Sequence, residues 1–412
     1  MIETKFKKSE VGLIPEEWEV KTFENICSTK SGGTPSREIK EYYKGNIPWV
    51  TTGELNDGDL YDTTEHISES ALQHSSAKVF PSGTLLMAMY GATIGKLGIT
   101  QVEAATNQAC CAIFLKEDYQ KYVFYKLLFD RPQLIAKGYG AGQPNISQAV
   151  IKKLQYAFPK INEQKHIAVA LSDIDDLIST TKKLIEKKRN IKQGAMQELL
   201  TGNRRLPGFT DEWMESRVGE FGEMIRGVSY SAEEASTEEY VNSIPLLRSN
   251  NIQNNCVNYD NLVYVPRTNV NNSQFLKSGD ILICMANGSK ELVGKTGLVK
   301  ENIISTFGAF MGVFRLYDIA NACYIAQLLL SDIYKSFLKD VFTGSAINNL
   351  KSSDIENITF YMPSSSAEKQ AIAKVLSDMD SEISSLESRL IKYQSLKQGM
   401  MQQLLTGKIR LI

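Results

Sequence analysis

The sequence predicts an α+β protein in which two mixed domains are separated by two long antiparallel helices that form a coiled coil. The main observation is an internal repeat, because residues 163–202 align without a gap with residues 368–407 and 19 of 40 positions are identical. A repeat this long indicates two copies of one unit, and we expect a pseudo-twofold relation between them. In addition, about 150 residues of much more divergent sequence precede each copy.

The divergent segments predict domains that mix strands with one or two helices. Residues 85–89 and 281–285 are short apolar runs close to glycines, a pattern typical of buried strands. Residues 120–130 and 323–338 have apolar side chains at helical spacing. An α+β domain therefore follows from each segment.

Matching signals place the boundaries of these segments. Trp18 and Trp213 lie at corresponding places near the start of each segment, and each segment closes on a short apolar run followed by proline. The predicted segments are a first domain at 1–159, a first helix at 160–205, a second domain at 206–363 and a second helix at 364–412.

Both repeated segments carry apolar residues on alternating three- and four-residue steps, the pattern of a coiled-coil seam. The predicted seam residues are Ile167, Ile174, Leu177, Leu184 and Ile191 in the first helix, and Ile372, Met379, Leu386, Tyr393 and Leu396 in the second. A neighbouring apolar row widens this stripe at Leu171, Ile178, Ile185, Leu376, Ile383 and Leu390. Each helix should be roughly 57 Å long at about 1.5 Å per residue. Because one helix alone would expose its stripe, we expect the two to pack together, with one domain at each end.

Glycines at four repeated positions also need an explanation. Gly194 and Gly399 lie inside the predicted helices, where glycine costs about 1 kcal/mol relative to alanine. We attribute them to a close approach of the two helices. Gly202 and Gly407 end the repeated "LLTG" motifs and predict C-terminal caps.

Composition restricts the classes of function. The net charge of −1 argues against a protein that grips nucleic acid alone, and suggests that a partner chain contributes to any such binding. No apolar run reaches the roughly 18 residues of a membrane span, and no signal-peptide pattern opens the chain, so we expect a cytoplasmic protein. The six cysteines form no CxxC pair, and with three histidines we expect no metal site.

Catalytic motifs are missing from the sequence. The glycine-rich segment at residues 91–98 has only three residues between Gly91 and Gly95, and Leu97 follows Lys96, so it does not match a P-loop. The chain also lacks the Asn/Asp-Pro-Pro-aromatic tetrad of adenine methyltransferases, as well as GxSxG, HExxH and GxGxxG. We therefore predict no catalytic residues and no cofactor bound by this chain.

The repeated helices and the domain openings together resemble the specificity (S) subunits of type I restriction-modification enzymes. The resemblance covers the whole chain and rests on the "IAVALSDID" and "IKQGAMQELLTG" segments with their second copies, the "IPEEW" and "IPWV" opening, and the "NIS" and "FP" closing. It implies that each domain is a target recognition domain for one half of a bipartite site in double-stranded DNA, and that the helices set the gap. It also implies two methyltransferase (M) subunits that use S-adenosylmethionine to make N6-methyladenine, and motor-nuclease (R) subunits that complete the restriction system.

Candidate DNA-binding residues are hydrogen-bond donors and aromatics in the loops that differ most between the copies. In the first domain they are Lys30, Arg37, Lys40, Tyr42, Lys44, Lys137, Gln143 and Asn145. In the second they are Arg226, Tyr230, Arg248, Asn250, Asn251, Asn287 and Lys290. Solvated basic loops and asparagine-rich turns have the same composition, so the sequence leaves both readings open.

Two further interpretations remain. A non-catalytic two-headed scaffold that holds two protein ligands without reading DNA would show the same repeat, although the basic loop at residues 28–46 argues mildly against it. For the methyltransferase interface we favour exposed faces of the helices. The basic run at residues 182–190 is one candidate, although such a run is commonly just a solvated face.

Overall fold

The computed structural model describes residues 4–137, 145–343 and 349–412, apart from the side chain of Lys137. The chain divides into two compact units. Unit 1 contains residues 1–182 and 389–412, and unit 2 contains residues 183–388. The division falls inside both repeated helices, so each unit combines one β-rich domain with part of each helix. The segment boundaries at 159, 205 and 363 stay a prediction from the sequence repeat.

Unit 1 is built mainly from short strands. The strands are β1 (Phe6–Ser9), β2 (Gly12–Pro15), β3 (Glu19–Thr22), β4 (Cys27–Ser31), β5 (Ile47–Val50), β6 (Gly58–Leu60), β7 (His66–Ile67), β8 (Val79–Phe80), β9 (Leu85–Ala88), β10 (Leu97–Thr100), β11 (Ala104–Thr106), β12 (Cys110–Leu115) and β13 (Gln155–Phe158). The helices are α1 (Phe23–Ile26), α2 (Glu69–Gln73), α3 (Gln120–Lys137), α4 (Gln148–Lys152) and the first part of α5 (Ile161–Leu199).

The strands of unit 1 form two larger sheets and two strand pairs. One sheet has the order β4-β12-β9-β10-β6, and the other has the order β7-β5-β11-β8. All four residues of β9 are buried, which confirms the predicted strand at this apolar run. The pairs are β1 with β2 and β3 with β13, so that the start and the end of the β-rich domain lie side by side.

Unit 2 repeats this construction. Its strands are β14 (Trp213–Arg217), β15 (Gly222–Arg226), β16 (Ser243–Leu247), β17 (Ile252–Gln253), β18 (Cys256–Val257), β19 (Val263–Pro266), β20 (Ile281–Cys284), β21 (Thr296–Leu298), β22 (Thr306–Phe307), β23 (Met311–Leu316) and β24 (Thr359–Pro363). Its helices are α6 (Ala322–Leu328), α7 (Asp332–Thr343), α8 (Ser352–Glu356) and the first part of α9 (Ser366–Leu404).

The sheet orders show that the whole domain is duplicated. The order β15-β23-β20-β21-β18 in unit 2 corresponds strand for strand to β4-β12-β9-β10-β6 in unit 1, and β17 is added at its end. The pair β14–β24 corresponds to β3–β13, and the parallel pair β16–β22 corresponds to β5–β11. The α+β prediction and the internal repeat are therefore confirmed. The described helices include none that is long and apolar enough to cross a membrane.

The predicted seam of the long helices is only partly correct. Ile167, Ile174, Ile372 and Leu386 are buried, and Met379 and Tyr393 are partly buried. The other four predicted seam residues are exposed, namely Leu177, Leu184, Ile191 and Leu396. The buried positions come instead from the neighbouring row, at Leu171, Ile178, Ile185, Leu376 and Ile383.

Ion pairs within each unit show that α5 and α9 run antiparallel. In unit 2, Lys188 pairs with Glu382 at 2.7 Å and Lys192 pairs with Asp380 at 2.6 Å. The residue numbers of the partners on α9 therefore decrease as those on α5 increase. In unit 1, Asp175 near the start of α5 pairs with Lys397 near the end of α9 at 2.6 Å. Part of the basic run at 182–190 therefore serves helix pairing.

The interior glycines do not mark a close approach between helices, which was the predicted explanation. A Cβ atom added at Gly194 or Gly399 would meet nothing within 4 Å outside its own helix. Both glycines are exposed. Gly202 and Gly407 do adopt the left-handed conformation expected of such glycines, with φ of 75° and 71°, three residues after the helices end.

A buried carboxylate appears at the same repeat position in each unit. In unit 1, Glu163 accepts hydrogen bonds from Arg410 at 2.7 Å and from the Trp18 indole at 3.3 Å. In unit 2, Glu368 accepts them from Arg205 at 2.6 Å and from Trp213 at 3.4 Å. Each carboxylate thus joins the start of a long helix to the tryptophan that opens its β-rich domain.

Candidate nucleic-acid interface

Five chain segments of unit 2 meet where several strands begin or end. Gly227 donates to Met311 O at 3.3 Å, and Gly308 donates to Leu247 O at 3.0 Å. The amides of Met285 and Ala286 both donate to Phe310 O. Asn287 Nδ2 donates to Ser249 Oγ at 3.1 Å, and Ala286 forms an isolated β-bridge with Asn349. We call this set the unit 2 loop edge, with residues 226–227, 248–249, 285–287, 308–310 and 349.

The same five segments meet in unit 1. Gly33 donates to Thr106 O at 2.9 Å, Asn107 donates to Val50 O at 3.0 Å, and Met89 donates to Ala109 O at 2.9 Å. Tyr90 forms an isolated β-bridge with Asn145. Gln148 ties the start of α4 to β4 through a hydrogen bond to Ser31 Oγ at 2.7 Å. We call this set the unit 1 loop edge, with residues 31–34, 50–51, 89–90, 107–109 and 145–148.

Glycine permits the close backbone contacts on which both loop edges depend. A Cβ atom at Gly32 would lie 1.9 Å from Thr106 O, and one at Gly227 would lie 2.0 Å from Gly308 O. Any larger residue would therefore push the segment after β4 or β15 away from its neighbour. The motif "SGGT" in the first domain and the Gly227 position in the second are thus set by packing.

Carboxylates neutralise two of the four cations in the basic loop of unit 1. Arg37 makes a two-point ion pair with Glu65 and lies over the Tyr43 ring at 4.2 Å. The hydrogen bond from Arg37 holds the pKa of Glu65 below its ordinary value. Lys44 pairs with Glu41 at 3.1 Å. These contacts order the loop, and they leave Arg37 and Lys44 less available for DNA than the sequence suggests.

The remaining unit 1 candidates differ in their surroundings. Tyr42 is half-buried and stacks on His74, while Lys40 is exposed in a short 3₁₀ turn. Lys30 is exposed on β4 with its amine 5.6 Å from the centre of the Phe114 ring. Asn145 is exposed at the loop edge. Gln143 and the Lys137 side chain lie outside the described part of the chain.

Asn251 is the unit 2 candidate whose position argues against DNA contact. It is fully buried, its side-chain oxygen accepts from the Arg248 amide at 2.9 Å, and its Nδ2 donates to Asp260 O at 2.8 Å. Both polar atoms of its side-chain amide hold the turn after β16. The predicted DNA contact of Asn251 is therefore wrong, and the residue has a structural role.

The other unit 2 candidates lie at or near the loop edge. Arg226 and Arg248 are exposed, and neither side chain has an ion-pair partner among the described residues. Asn250 is exposed beside Arg248, and Tyr230 packs close to Gly308. Three of the predicted loops, around Arg226, Arg248 and Asn287, are therefore brought together.

Comparisons with known proteins give the family. The sequence-family model for the type I restriction modification DNA specificity domain matches this chain twice, at residues 15–188 and at residues 210–393. The chain belongs to this family. Its two β-rich domains are therefore two copies of a specificity domain, each matched together with part of the long helix that follows it.

Similar proteins agree with this assignment. The chain is 33% identical over 187 residues to the MjaIX specificity subunit of Methanocaldococcus jannaschii, and 32% identical over 197 residues to the EcoKI specificity subunit of Escherichia coli. These matches span 43% and 42% of the two relatives, less than half of their lengths. The MjaVIII specificity subunit of M. jannaschii aligns over 99% of this chain and 96% of its own length at 23% identity.

A solved structure has the same fold. The S subunit of a type I restriction-modification system from M. genitalium superposes with a TM-score of 0.65 at 17% identity, covering 98% of this chain and 99% of that one. At this identity the likeness shows the fold alone. It supports the arrangement of two specificity domains with two long helices.

Sequence reasoning missed several residues at the loop edges of the specificity domains. Thr34 donates to Gln108 in unit 1, and Ser249 accepts from Asn287 in unit 2. Phe310 is exposed at the unit 2 loop edge, although it lies three residues after the buried Phe307 and four before the buried Phe314. Nothing in the local sequence distinguishes these three phenylalanines, because only the change from β22 to β23 turns Phe310 outward.

The cysteines and carboxylates of the specificity domains form no reactive cluster within residues that the structure describes. Burial raises the pKa of the Cys110 and Cys111 thiols to about 12, and that of Cys27 and Cys284 to about 11. These four thiols therefore stay protonated at neutral pH. In the described ranges no group of three His, Cys, Asp or Glu side chains is placed to hold a metal ion.

Proposed function

We propose that this chain supplies the DNA specificity of a type I restriction-modification complex. Each specificity domain reads one half of a bipartite site with its loop edge. Two methyltransferase subunits carry S-adenosylmethionine and make N6-methyladenine, for which the target base leaves the duplex. Motor-nuclease subunits complete the restriction enzyme. The active sites lie in these partners, and this chain determines the DNA sequence at which they act.

The observation that carries the proposal is the pair of loop edges, which share a backbone frame but differ in side chains. Both edges join the same five segments through corresponding hydrogen bonds. At corresponding positions, however, unit 1 has Ser31 where unit 2 has Arg226, and it has Thr51 where unit 2 has Arg248. Base edges are read by side chains placed on such a frame. Two frames with different side chains suit two half-sites of different sequence.

Charge distribution at the unit 2 loop edge fits contact with DNA despite the net charge of −1. Arg226 and Arg248 project from adjoining segments and are not neutralised by carboxylates in the described structure. Arginine makes two-point contacts with phosphates and with guanine edges. Because few such cations are present, we expect the partner subunits to supply much of the phosphate contact.

The length of the helices supports a role in spacing. Helices α5 and α9 each contain 39 residues, which corresponds to about 58 Å of helix. Half-sites read from one face of DNA lie about 34–36 Å apart or a multiple of this. A stiff helix fixes such a separation with little loss of entropy, unlike a flexible linker.

Methylation mapping tests both the reading and the spacing. Cells that express this chain with its methyltransferase partner should show N6-methyladenine in one bipartite motif with a fixed gap. Insertion of one heptad into both α5 and α9 should keep both half-sites and change the gap. Methylation without sequence preference would contradict the reading role, and an unchanged gap would contradict the spacing role.

Two equivalent patches on the long helices fit two copies of one partner. Ile191 and Gly194 in unit 2 correspond in the repeat to Leu396 and Gly399 in unit 1, and all four residues are exposed. In each patch the aliphatic residue lies one turn before the glycine, on one side of the helix. Glycine inside a helix lowers its stability. An apolar partner side chain that fits beside the glycine gives a reason for keeping it, so we propose these patches as the methyltransferase docking sites.

Replacing these glycines should raise the stability of the chain and weaken its binding to the partner. We expect Gly194→Gln and Gly399→Gln each to stabilise the chain by about 0.5 kcal/mol or more, since a Cβ atom at either position meets nothing within 4 Å outside its own helix. Together they should weaken partner binding about tenfold or more, as overfilling a packed contact costs about 1–3 kcal/mol. Thermal unfolding and calorimetric titration with the methyltransferase subunit measure the two effects.

A matched control uses exposed serines at another repeat position. Ser179 and Ser384 are equivalent, and each lies on its helix 15 residues before the corresponding glycine, about 22 Å along the axis. Ser179→Gln and Ser384→Gln should leave partner binding unchanged. Equal binding losses in both pairs of variants would remove the glycine patches as the docking sites.

A further inference from the structure

Each loop edge carries one exposed aromatic side chain. Phe310 in unit 2 is 72% exposed, and Tyr90 in unit 1 is 44% exposed. Single exposed apolar residues are common on protein surfaces and need no explanation by themselves. What needs explanation is that these two occur at the same point of a duplicated frame.

The two aromatics reach this point from different strands. Tyr90 follows β9, and its counterpart after β20 is Ala286. Phe310 precedes β23, and its counterpart before β12 is Ala109. In both units the segments are joined by the same hydrogen bond, from Met89 N to Ala109 O or from Met285 N to Phe310 O, each 2.9 Å long. Each unit thus places one aromatic beside one alanine, with the two positions exchanged.

Both rings are mounted on an ordered backbone. Phe310 O accepts from Met285 N at 2.9 Å and from Ala286 N at 3.1 Å. Tyr90 is held by its bridge to Asn145, and the next residue, Ile146, donates to Met89 O at 2.8 Å. Because the backbone that carries each ring is already ordered, binding costs the entropy of the side chain alone.

The segments that are hydrogen-bonded on either side of Phe310 carry two exposed arginines. Its strand neighbour Met311 accepts a hydrogen bond from Gly227, directly after the exposed Arg226. Gly308, two residues earlier, is bonded to Leu247, directly before the exposed Arg248. An apolar ring close to two exposed arginines combines a base-stacking group with phosphate-binding groups.

We propose that Phe310 and Tyr90 act as wedges that insert between neighbouring base pairs, one in each half-site. The inference rests on the proposed function, because it assumes that the loop edges face DNA. Apolar wedges unstack a base step and bend the duplex. An opened step also lowers the energy needed to take the target adenine out of the stack. The wedges therefore act on the DNA while the partner subunits perform the methyl transfer.

The test uses the complex of this chain with its methyltransferase subunits and a duplex that carries the mapped site. 2-Aminopurine replaces in turn each adenine of the two half-sites except the target adenines, which the methyltransferase itself takes out of the stack. Its fluorescence rises when it is unstacked. With the unaltered chain, we expect a rise at one step in each half-site. Phe310→Ala should abolish the rise in one half-site only, and Tyr90→Ala should abolish it in the other. Each variant should also lower the affinity for the duplex roughly fivefold or more. Phe310→Trp, which keeps an aromatic ring at this position, should retain both the fluorescence rise and the affinity of the unaltered chain.

Exposed tyrosines at the opposite ends of the same sheets serve as controls. Tyr317 follows β23 and is 71% exposed, which matches Phe310 closely, and Tyr61 follows β6 in unit 1. Tyr317→Ala and Tyr61→Ala should leave fluorescence and affinity unchanged. If Phe310→Ala and Tyr90→Ala behave like these controls while the unaltered complex still binds its site, the wedge proposal is overturned and the proposed function stands. If the unaltered complex shows no preference for the site, the proposed function itself fails.

Discussion

Glu163→Ala should destabilise unit 1 by about 3–5 kcal/mol, the range observed when one partner of a buried ion pair is removed. Glu163 is 5% exposed and accepts from Arg410 and from the Trp18 indole. Without it, the largely buried Arg410 guanidinium keeps its charge and loses its main partner. Hydrogen exchange at the amides of β3 and β13, which lie next to Trp18 and Ile161, should report the loss of stability directly.

A neighbouring carboxylate provides the control. Glu17 also binds Arg410, at 3.0 Å, but its side chain is 63% exposed. Exposed ion pairs contribute about 0–1 kcal/mol, so Glu17→Gln should have little effect on exchange in β3 and β13. If Glu17→Gln and Glu163→Ala accelerate exchange equally, burial of Glu163 does not explain its contribution.

The same arrangement could be foreseen in outline from the sequence. Trp18 and Trp213 stand at corresponding places, and Glu163 and Glu368 open the two repeated segments. The repeat shows that these residues correspond, but it does not show that they touch. The contact depends on the chain after each helix, where Arg410 meets Glu163 of the other helix and Arg205 meets Glu368. No pattern in the local sequence predicts a contact between residues so far apart in the chain.

The helix seam shows where a periodic pattern becomes ambiguous. Residues 170, 177, 184 and 191 form an apolar row on one side of the Ile167–Ile174 line, and residues 171, 178 and 185 form another on the other side. Both rows fit a heptad. The buried row continues to Lys192, whose pairing with Asp380 inside unit 2 cannot be read from hydropathy. The sequence therefore predicts helices and their antiparallel packing, while the face that packs depends on three-dimensional partners.

Loop geometry limits the choice among candidate DNA-binding residues in a similar way. Asn250 and Asn251 are neighbours of the same type, yet the first is exposed and the second is buried with a satisfied amide. Arg37 and Arg248 both follow a strand of their domain, yet Glu65 neutralises only Arg37. Residue type identifies groups that are able to bind DNA, but the turn conformation decides which of them face solvent.

Gly32→Ala should disrupt the unit 1 loop edge and lower methylation of the mapped site about a hundredfold. The added Cβ would lie 1.9 Å from Thr106 O, so the segment after β4 must move by more than about 1 Å to reach even a tight contact of 3.0 Å. This movement breaks the bond from Gly33 to Thr106 and displaces Thr34 from Gln108. Misplacement by about 1 Å is enough to reduce rates about a hundredfold. Overpacking of this kind also costs about 1–3 kcal/mol of stability.

Gly53→Ala separates this effect from a general sensitivity of the region. Gly53 lies just after β5, close to the same loop edge, but its nearest neighbour to an added Cβ is Thr51 Oγ1 at 3.8 Å, an ordinary contact. We expect Gly53→Ala to fold and to support methylation at the unaltered rate, measured with the assembled complex on the mapped duplex. Circular dichroism of both variants shows whether Gly32→Ala remains folded. If it is folded and fully active, the close contact between Gly32 and Thr106 does not set the geometry of the loop edge that we propose reads the first half-site.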